Sequence, residues 1–488
     1  MESNSEEIKS PWKDPKDQLE RAKYADILTK YLSQKSGEFV LNLDAPWGMG
    51  KTYFIRHWHK SLEDKHPAVY INAWETDFSD DPLVTVISGV HEQLKNYLPT
   101  ADQNLESFGR KLKSGGRFLK SLSPIIAKGL LKKALGSEEG KALLDNIGLS
   151  DDADVVSEIS EKSMSVLLKN HSEATSSMKD FSKALGDVIR SIDKKNVSLP
   201  VFLFIDELDR CRPTYAIELL ETVKHLFNVD NIVFVIATDS AQLRHAISAV
   251  YGDNFDGELY LGRFFHQRYK LPDPNYSQYC KFKTGQITNI GNVTVGCFRP
   301  WHILGNKGKE PSGWDSSDSV SVLLTFYSRH FSLPLRSIVK IVTQLEAIFS
   351  LINGREIDIV YLLLLLTCNE SKPGVISWAR GIVSKINTSG LNEQIKKYVP
   401  SDGQKIGWVI YGYNGCIAEN EINVFQIFST YLRTLSVQVD DISYIDPDKV
   451  TSLDEYILQI RYRYENKHKT VKYSNYFDLV EMAGGFDI

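Results

Sequence analysis

The chain has 488 residues, 42% hydrophobic and 24% charged, with a net charge of −5, which allows two or three globular domains and gives no global pull toward nucleic acid or an anionic membrane. Five cysteines (Cys211, Cys280, Cys297, Cys368, Cys416) share no C-x-x-C spacing, which argues against a zinc site or disulfide framework and suits a reducing cytoplasm. The polar start MESNSEEIKSPWKD is no signal peptide, and the longest apolar run, Ile359 to Cys368, holds ten residues where a bilayer core needs about 20, so a soluble cytoplasmic protein is expected.

Residues 17–35 carry Leu19, Ala22, Tyr24, Ile27, Leu28 and Tyr31 at helical spacing and predict an amphipathic helix. Phe39 to Leu43 then reads as a strand entering APWGMGKT at 45–52, close to the P-loop pattern G-x-x-x-x-G-K-[ST]. Such a loop turns backbone N–H groups inward onto phosphate oxygens. Trp47, Gly48, Met49, Gly50, Lys51, Thr52 and Tyr53 are therefore candidate nucleotide-binding residues, Lys51 for the β- and γ-phosphates and Thr52 for Mg²⁺. Ala45 stands at the first glycine position, where a methyl is tolerable only with φ below zero. A second strand is expected at Ala68 to Asn72 and a helix from Asp81 through Leu98.

Residues 101–196 change character. Arg110 to Leu135 hold eight Lys/Arg and no acid, interleaved with apolar residues; Glu138 to Glu161 hold eight acids and one lysine. Two readings stand: a basic amphipathic surface for nucleic acid or anionic lipid, or an inserted helical subdomain whose basic helix packs on its acidic neighbour. After a helix at 181–190, Leu199 to Ile205 is an apolar run typical of a strand buried on both faces of a parallel sheet. It ends in Asp206-Glu207, at the strand end where open α/β sheets place ligands. Asp206 suits the Mg²⁺ site, and Glu207 the base that polarises an attacking water.

A helix from Tyr215 to Phe227 and a strand from Asn231 to Ala237 follow. Thr238 and Asp239 at that strand's tip are candidates to sense the γ-phosphate, with helix capping the plain alternative for Asp239. In YLGRFFHQRYKLPDP at 260–274, Arg263 and Arg268 are candidate arginine fingers, in cis or across a subunit boundary, with surface charge as the alternative. Residues 275–320 look like a hairpin or long loop. Helical patterning resumes from Val320, with Arg336 near a helix start and an apolar helix at Ile357 to Thr367. RYRYENKHKTVKY at 461–473 alternates basic and aromatic residues, a pattern of single-stranded nucleic-acid binders or, more plainly, of an edge strand.

WGMGKT, VYINAWETD at 69–77, FLFIDELDRCRP and NIVFVIATD together resemble the KAP family of P-loop NTPases, from about Asp17 to Arg336. Its most distinctive landmark here is Leu208-Asp209-Arg210-Cys211 after the acidic pair. The resemblance implies an α/β fold, a P-loop three-layer α/β/α sandwich with a mostly parallel sheet and an additional strand, a helical insertion and a helical C-terminal lid. It implies ATP and Mg²⁺ as cofactors, contact of Asp17 and Leu19 with the nucleotide base unless their helix only packs at the edge, and closure of Arg336 on the phosphates unless it is a helix-surface charge. Expected divisions are 1–100 and 197–275 for the two halves of the core, 101–196 for the insertion, 276–320 for an irregular excursion, 321–400 for the lid and 401–488 for an α+β region.

The function so implied is an ATP-hydrolysing conformational switch acting with partner proteins, of the kind found in bacterial phage-defence loci, with homo-oligomerisation open. A nucleotide-binding scaffold at a membrane surface or on nucleic acid, with little catalysis, and a P-loop kinase are the alternatives.

Overall fold

The computed structural model describes residues 11–98, 182–192, 197–290 and 316–485, apart from 14–15, 36, 79–81, 227–228, 289, 386–389, 400, 402–405, 413–414, 439–440, 443–451 and 468. The basic segment Arg110 to Leu135 and its acidic neighbour lie outside the described residues. Two compact units are present: Met1–Asp17 with Arg21–Pro272, and Gln18–Glu20 with Asp273–Ile488.

The first unit is built on five parallel strands: β1 (Phe39–Asp44), β2 (Ala68–Asn72), β3 (Val201–Asp206), β4 (Ile232–Thr238) and β5 (Gln267–Lys270). Their spatial order is β2-β3-β4-β1-β5. Every residue of β3 and of β4 is buried, as expected of apolar runs covered on both faces. Successive side chains point to opposite faces and build two cores. Leu41, Leu43, Phe202, Phe204, Val233 and Val235 pack under α1 (Ala22–Leu32) and α2 (Lys51–Leu62). Val40, Val69, Leu203, Ile205, Phe234 and Ile236 pack under α3 (Pro82–Leu94), a helical segment at 182–191, α4 (Pro213–Leu226) and α5 (Ser240–Tyr251). The result is a three-layer α/β/α sandwich. Because β4 lies between β1 and β3, the P-loop strand and the acidic strand are separated by one additional strand, as the resemblance implies.

Burial also explains α2. Phe54, Ile55, Trp58 and Leu62 lie on its inward face, and the Trp58 indole, buried with a polar N–H, donates to Thr29 Oγ1 at 2.8 Å. A short helix, α6 (Gly257–Leu261), leads into the edge strand β5.

The second unit is mainly helical: α7 (Tyr276–Thr284), α8 (Ser316–His330), α9 (Leu335–Ile352), α10 (Ile359–Ser371), α11 (Val375–Lys385), α12 (Leu391–Ile395), α13 (Val424–Leu435), α14 (Leu453–Asn466) and α15 (Tyr476–Ala483). An antiparallel pair, β6 (Ile406–Gly412) and β7 (Gly415–Ile422), precedes α13. The apolar run at 359–368 is a core helix, buried at every position from Ile359 to Cys368. Its N-cap, Asp358, is buried and accepts from Val360 N (3.1 Å), Tyr361 N (3.3 Å), Tyr431 Oη (2.7 Å) and Tyr473 Oη (2.6 Å). Tyr431 stacks on Tyr361, and Tyr473 and Tyr476 pack against it at a tilt, so one carboxylate fastens α13 and the C-terminal segment to the start of α10. No helix among the described residues is long and apolar enough to cross a membrane.

Two expectations are corrected here. Residues 276–284, read as part of a loop, form α7, capped by Asn275 and buried through Tyr276, Cys280 and Thr284. The basic and aromatic run from 461 begins inside α14 rather than in an edge strand, and Arg461 turns inward to donate to Thr434 O (2.6 Å) and Val437 O (2.8 Å).

Candidate functional site

The strand register of the first unit brings polar tips to one edge of the sheet. Asp44 is paired with Thr238 across β1 and β4, and Asn72 with Asp206 across β2 and β3. The loop after β1 turns on Gly48 (φ 78°) and Gly50 (φ 83°), both left-handed, which is why glycine stands at each. Ala45 is not among the positive-φ residues, and its methyl is buried in the core, so the departure from the P-loop pattern carries no backbone strain. Gly50 caps α2, and Lys51 and Thr52 occupy its first turn, where N–H groups and the helix dipole favour anions.

Lys51 Nζ donates to Ala45 O at 2.6 Å and lies 3.3 Å from Asp209 Oδ2. Thr52 Oγ1 donates to Glu207 Oε1 at 3.3 Å. The P-loop and the end of β3, 155 residues apart in sequence, therefore meet. Asp206 is fully buried; its Oδ1 accepts from Glu207 N (2.9 Å) and its Oδ2 from Tyr70 Oη (3.2 Å). Burial and then the neighbouring Glu207 charge push its carboxyl up to about 6, against the pull of Thr52 and its other hydrogen bonds. Glu207 sits in the left-handed region (φ 60°), a strained conformation for a non-glycine residue of the sort that collects at functional sites, and its Oε1 also lies 3.2 Å from Arg210.

Other predicted residues fall around this centre. Trp47 N donates to Asp239 Oδ2 at 3.1 Å, while Asp239 Oδ1 caps α5 through Ala241 N and Gln242 N. Thr238 is fully buried, with its hydroxyl donating to Asn42 Oδ1 at 2.9 Å. Met49 is buried and lends its carbonyl to Arg21 at 3.4 Å. Tyr53 packs on His57 (ring centroids 4.0 Å) and Trp12; burial and then Asp17 push its hydroxyl up to about 12. Asp17 Oδ2 accepts from Ala22 N at 2.8 Å. Arg268 on β5 is engaged by Asp44 (2.8 Å) and Glu258 (3.3 Å). Burial alone pushes the Asp44 carboxyl up, but Ser240 and Arg268 outweigh it and leave it below its ordinary value. Arg263 is exposed, and its side chain has no partner among the described residues. Arg336 is exposed in the first turn of α9 and belongs to the second unit.

Three contributors were given no site role from the sequence, although Asp209 stands in the landmark that follows the acidic pair. Asp209 pairs with Lys51 and also accepts from Trp47 Nε1 and Asp239 N, both at 2.7 Å. Tyr70 holds Asp206. Asn42 joins Thr238 to Ser240 and is the polar residue that interrupts the apolar β1 run, which is its signal in the sequence.

Chemically, the site offers a cation on a glycine-turned loop, a hydroxyl, and carboxylates at a strand end. Thr52 and Asp206 supply hard oxygen donors, and a carboxyl strained upward by burial beside a second acid is the environment a divalent cation relieves. The residues present thus fit Mg²⁺.

Comparison with known proteins agrees with this arrangement. A family model described as the KAP family P-loop domain matches residues 21–349. No curated protein matches the chain. Among solved structures it is similar to the ORC2 protein of Aeropyrum pernix in its ADP form (12% identity, TM-score 0.30, 85% of each chain covered). The same protein with ADPNP and ADP is similar at 12% identity and TM-score 0.29, over 95% of this chain and 92% of that one. PCH-2 of C. elegans follows at 11% and 0.25, over 68% and 60%. Scores this low set no constraint on what the chain binds or does. The family match spans roughly two thirds of the sequence and includes every contact between the P-loop and the acidic strand, and on it the chain belongs to the KAP family of P-loop NTPases.

Proposed function

We propose that this protein binds ATP with Mg²⁺, hydrolyses it, and uses the cycle as a conformational switch on partner proteins. The observation that carries the reading is the meeting of Lys51 and Thr52 with Asp206, Glu207 and Asp209 at one edge of the sheet. Lys51 holds the β- and γ-phosphates, backbone N–H groups from Trp47 to Tyr53 line them, and Thr52 and Asp206 hold the metal. Bound Mg²⁺ supplies charge neutralisation on the phosphate oxygens. Glu207, at the strand tip beside Thr52, orients and deprotonates the attacking water.

Of the two arginine candidates, Arg263 is the better finger. Its side chain is exposed and uncommitted among the described residues, whereas Arg268 is already held by Asp44 and Glu258. A finger acting in trans requires at least a homodimer. In that case, mixing Lys51→Ala subunits with Arg263→Ala subunits restores turnover, and failure to restore it assigns the finger in cis. Thr238, buried on Asn42, acts through the strand tip.

The partner, on this reading, belongs to a bacterial phage-defence locus in the cytoplasm, an inference resting on family resemblance alone. Plating efficiency of phage on cells carrying the locus with Lys51→Ala tests it; undiminished protection removes the nucleotide cycle from that role. For the biochemistry, phosphate release from ATP with Mg²⁺ should be abolished by Lys51→Ala and by Glu207→Gln. Unchanged release in Glu207→Gln means the base is misassigned, and phosphate appearing on an acceptor means the reaction is transfer rather than hydrolysis.

A further inference from the structure

A single carboxylate oxygen of Asp209 gathers three donors. Lys51 Nζ lies 3.3 Å away, Trp47 Nε1 2.7 Å and the Asp239 backbone N–H 2.7 Å. The Asp209 side chain is 2% exposed and Lys51 is buried, while the Trp47 side of the cluster is open to solvent. Two donors come from the P-loop and the third from the tip of β4, and Asp209 itself stands three residues beyond β3. The oxygen thus ties together the loops of three strands.

An ammonium and N–H groups converging on one anionic oxygen is the chemistry of a phosphate contact. The neighbouring acids are engaged elsewhere: Glu207 accepts from Thr52 and pairs with Arg210, and Asp206 is held by Tyr70 and the Glu207 N–H. Asp209 is therefore the acid that shares the P-loop lysine. Lys51 has one other partner among the described residues, the Ala45 carbonyl.

We propose that Asp209 is a tethered competitor of the nucleotide phosphates, giving up Lys51 as they arrive and releasing Trp47 and the β4 tip in the same exchange. The inference rests on the nucleotide-binding reading above and adds how that site is regulated. Asp209 lowers the resting affinity for nucleotide and couples loading to the turn after β3. Arg210 in that turn lies over the Trp74 ring at 5.8 Å, and Arg212 just beyond holds Asp77 through its N–H and Nε at 2.9 and 2.8 Å. Displacement of Asp209 is thereby transmitted toward the exposed residues Trp74 and Phe78 after β2.

Asp209→Asn keeps the shape and removes the charge. Titration of the full chain with ADP and with ATP should show binding about ten-fold tighter than wild type, the weight of one charge-assisted contact. AMP, which lacks the phosphates that a P-loop lysine engages, should change less than about two-fold. Trp47 supplies a second readout in the unsubstituted chain: ATP should change the emission that Trp47→Phe removes, and Asp209→Asn should shift that emission before any nucleotide is added. Equal or weaker binding of ATP by a folded Asp209→Asn, or a Trp47 emission indifferent to ATP in the wild type, overturns the proposal. If Asp209→Asn does not fold, the wild-type Trp47 measurement decides alone. Wild-type protein with no affinity for any nucleotide sinks the nucleotide reading itself, a result told apart by its failure before any Asp209 comparison is made.

Discussion

Asp206→Asn should stabilise the nucleotide-free protein. The Asp206 carboxyl is pushed up to about 6 from an ordinary 3.8, chiefly by burial. A raised carboxyl means that the folded state binds its proton more tightly than the unfolded chain. Its contribution to stability is intact below the unfolded value and is lost as pH rises through about 6. The shift of roughly 2 units, at 1.36 kcal/mol per unit, corresponds to about 3 kcal/mol lost by pH 8 and to about half of that at pH 5. Asparagine carries no charge, can still accept the Glu207 N–H, and can donate to Tyr70, whose hydroxyl then serves as acceptor. The melting temperature of Asp206→Asn should therefore exceed that of wild type by several degrees at pH 8, with the difference shrinking toward pH 5. Adding ATP with Mg²⁺ should reverse the order, because only the aspartate gains a cation. Differential scanning fluorimetry between pH 5 and 8.5, with and without Mg²⁺ and ATP, measures all three effects. A variant less stable than wild type at pH 8, or a difference flat with pH, refutes the reasoning and makes Asp206 a hydrogen-bonding strand end.

Arg263→Ala should lower ATP turnover by about 10³-fold, the low end for a lost arginine finger, with the melting temperature unchanged; steady-state phosphate release and a melt separate the two. Arg268→Ala should show the opposite pattern, most turnover kept and about 1 kcal/mol of stability lost, because its half-exposed pair with Asp44 holds β5 to β1. Asp358→Ala removes the acceptor of two backbone N–H groups and two tyrosine hydroxyls inside the second unit. It should cost about 3–5 kcal/mol, read as an early unfolding step in urea while ADP binding survives in what remains folded.

What could be read from sequence was set by how local its physics is. Buried strands announce themselves as apolar runs, so β1, β3 and β4 were legible, as were the glycines whose positive φ the P-loop demands. Helix α14 was not, because Arg461, Tyr462, Arg463 and Tyr464 alternate at strand period. Its buried set, Tyr456, Ile457, Ile460, Arg461 and Tyr464, has helical spacing but includes a charge that the carbonyls of residues 434 and 437 receive. Helix α7 was hidden in the same way, its buried face of Tyr276, Cys280 and Thr284 being barely apolar. At the site, Lys51, Thr52, Asp206 and Glu207 follow from motif chemistry. The role of Asp209 depends on Trp47 and Asp239, 162 and 30 residues away, and no local pattern encodes that meeting.

The turn after β3 places three acids within four residues, and each solves a different electrostatic problem. Asp206 is buried with hydrogen bonds from a tyrosine and a backbone N–H, a poor refuge for a full charge. Glu207 keeps Thr52 and Arg210 on one oxygen and accepts a strained backbone to do so. Asp209 takes the P-loop lysine. Replacing such a cluster with apolar residues is ordinarily neutral or stabilising for a fold, so the stability of the sheet does not account for it. On the proposed function, a divalent cation would answer the first acid, and a polyphosphate would compete with the third for its lysine. On that function, an incoming Mg²⁺–triphosphate would carry both groups at once and so would relieve Asp206 and displace Asp209 in one event, with Glu207 between them. That coupling is what a switch needs: the charged strand end is least stable alone and most changed by loading.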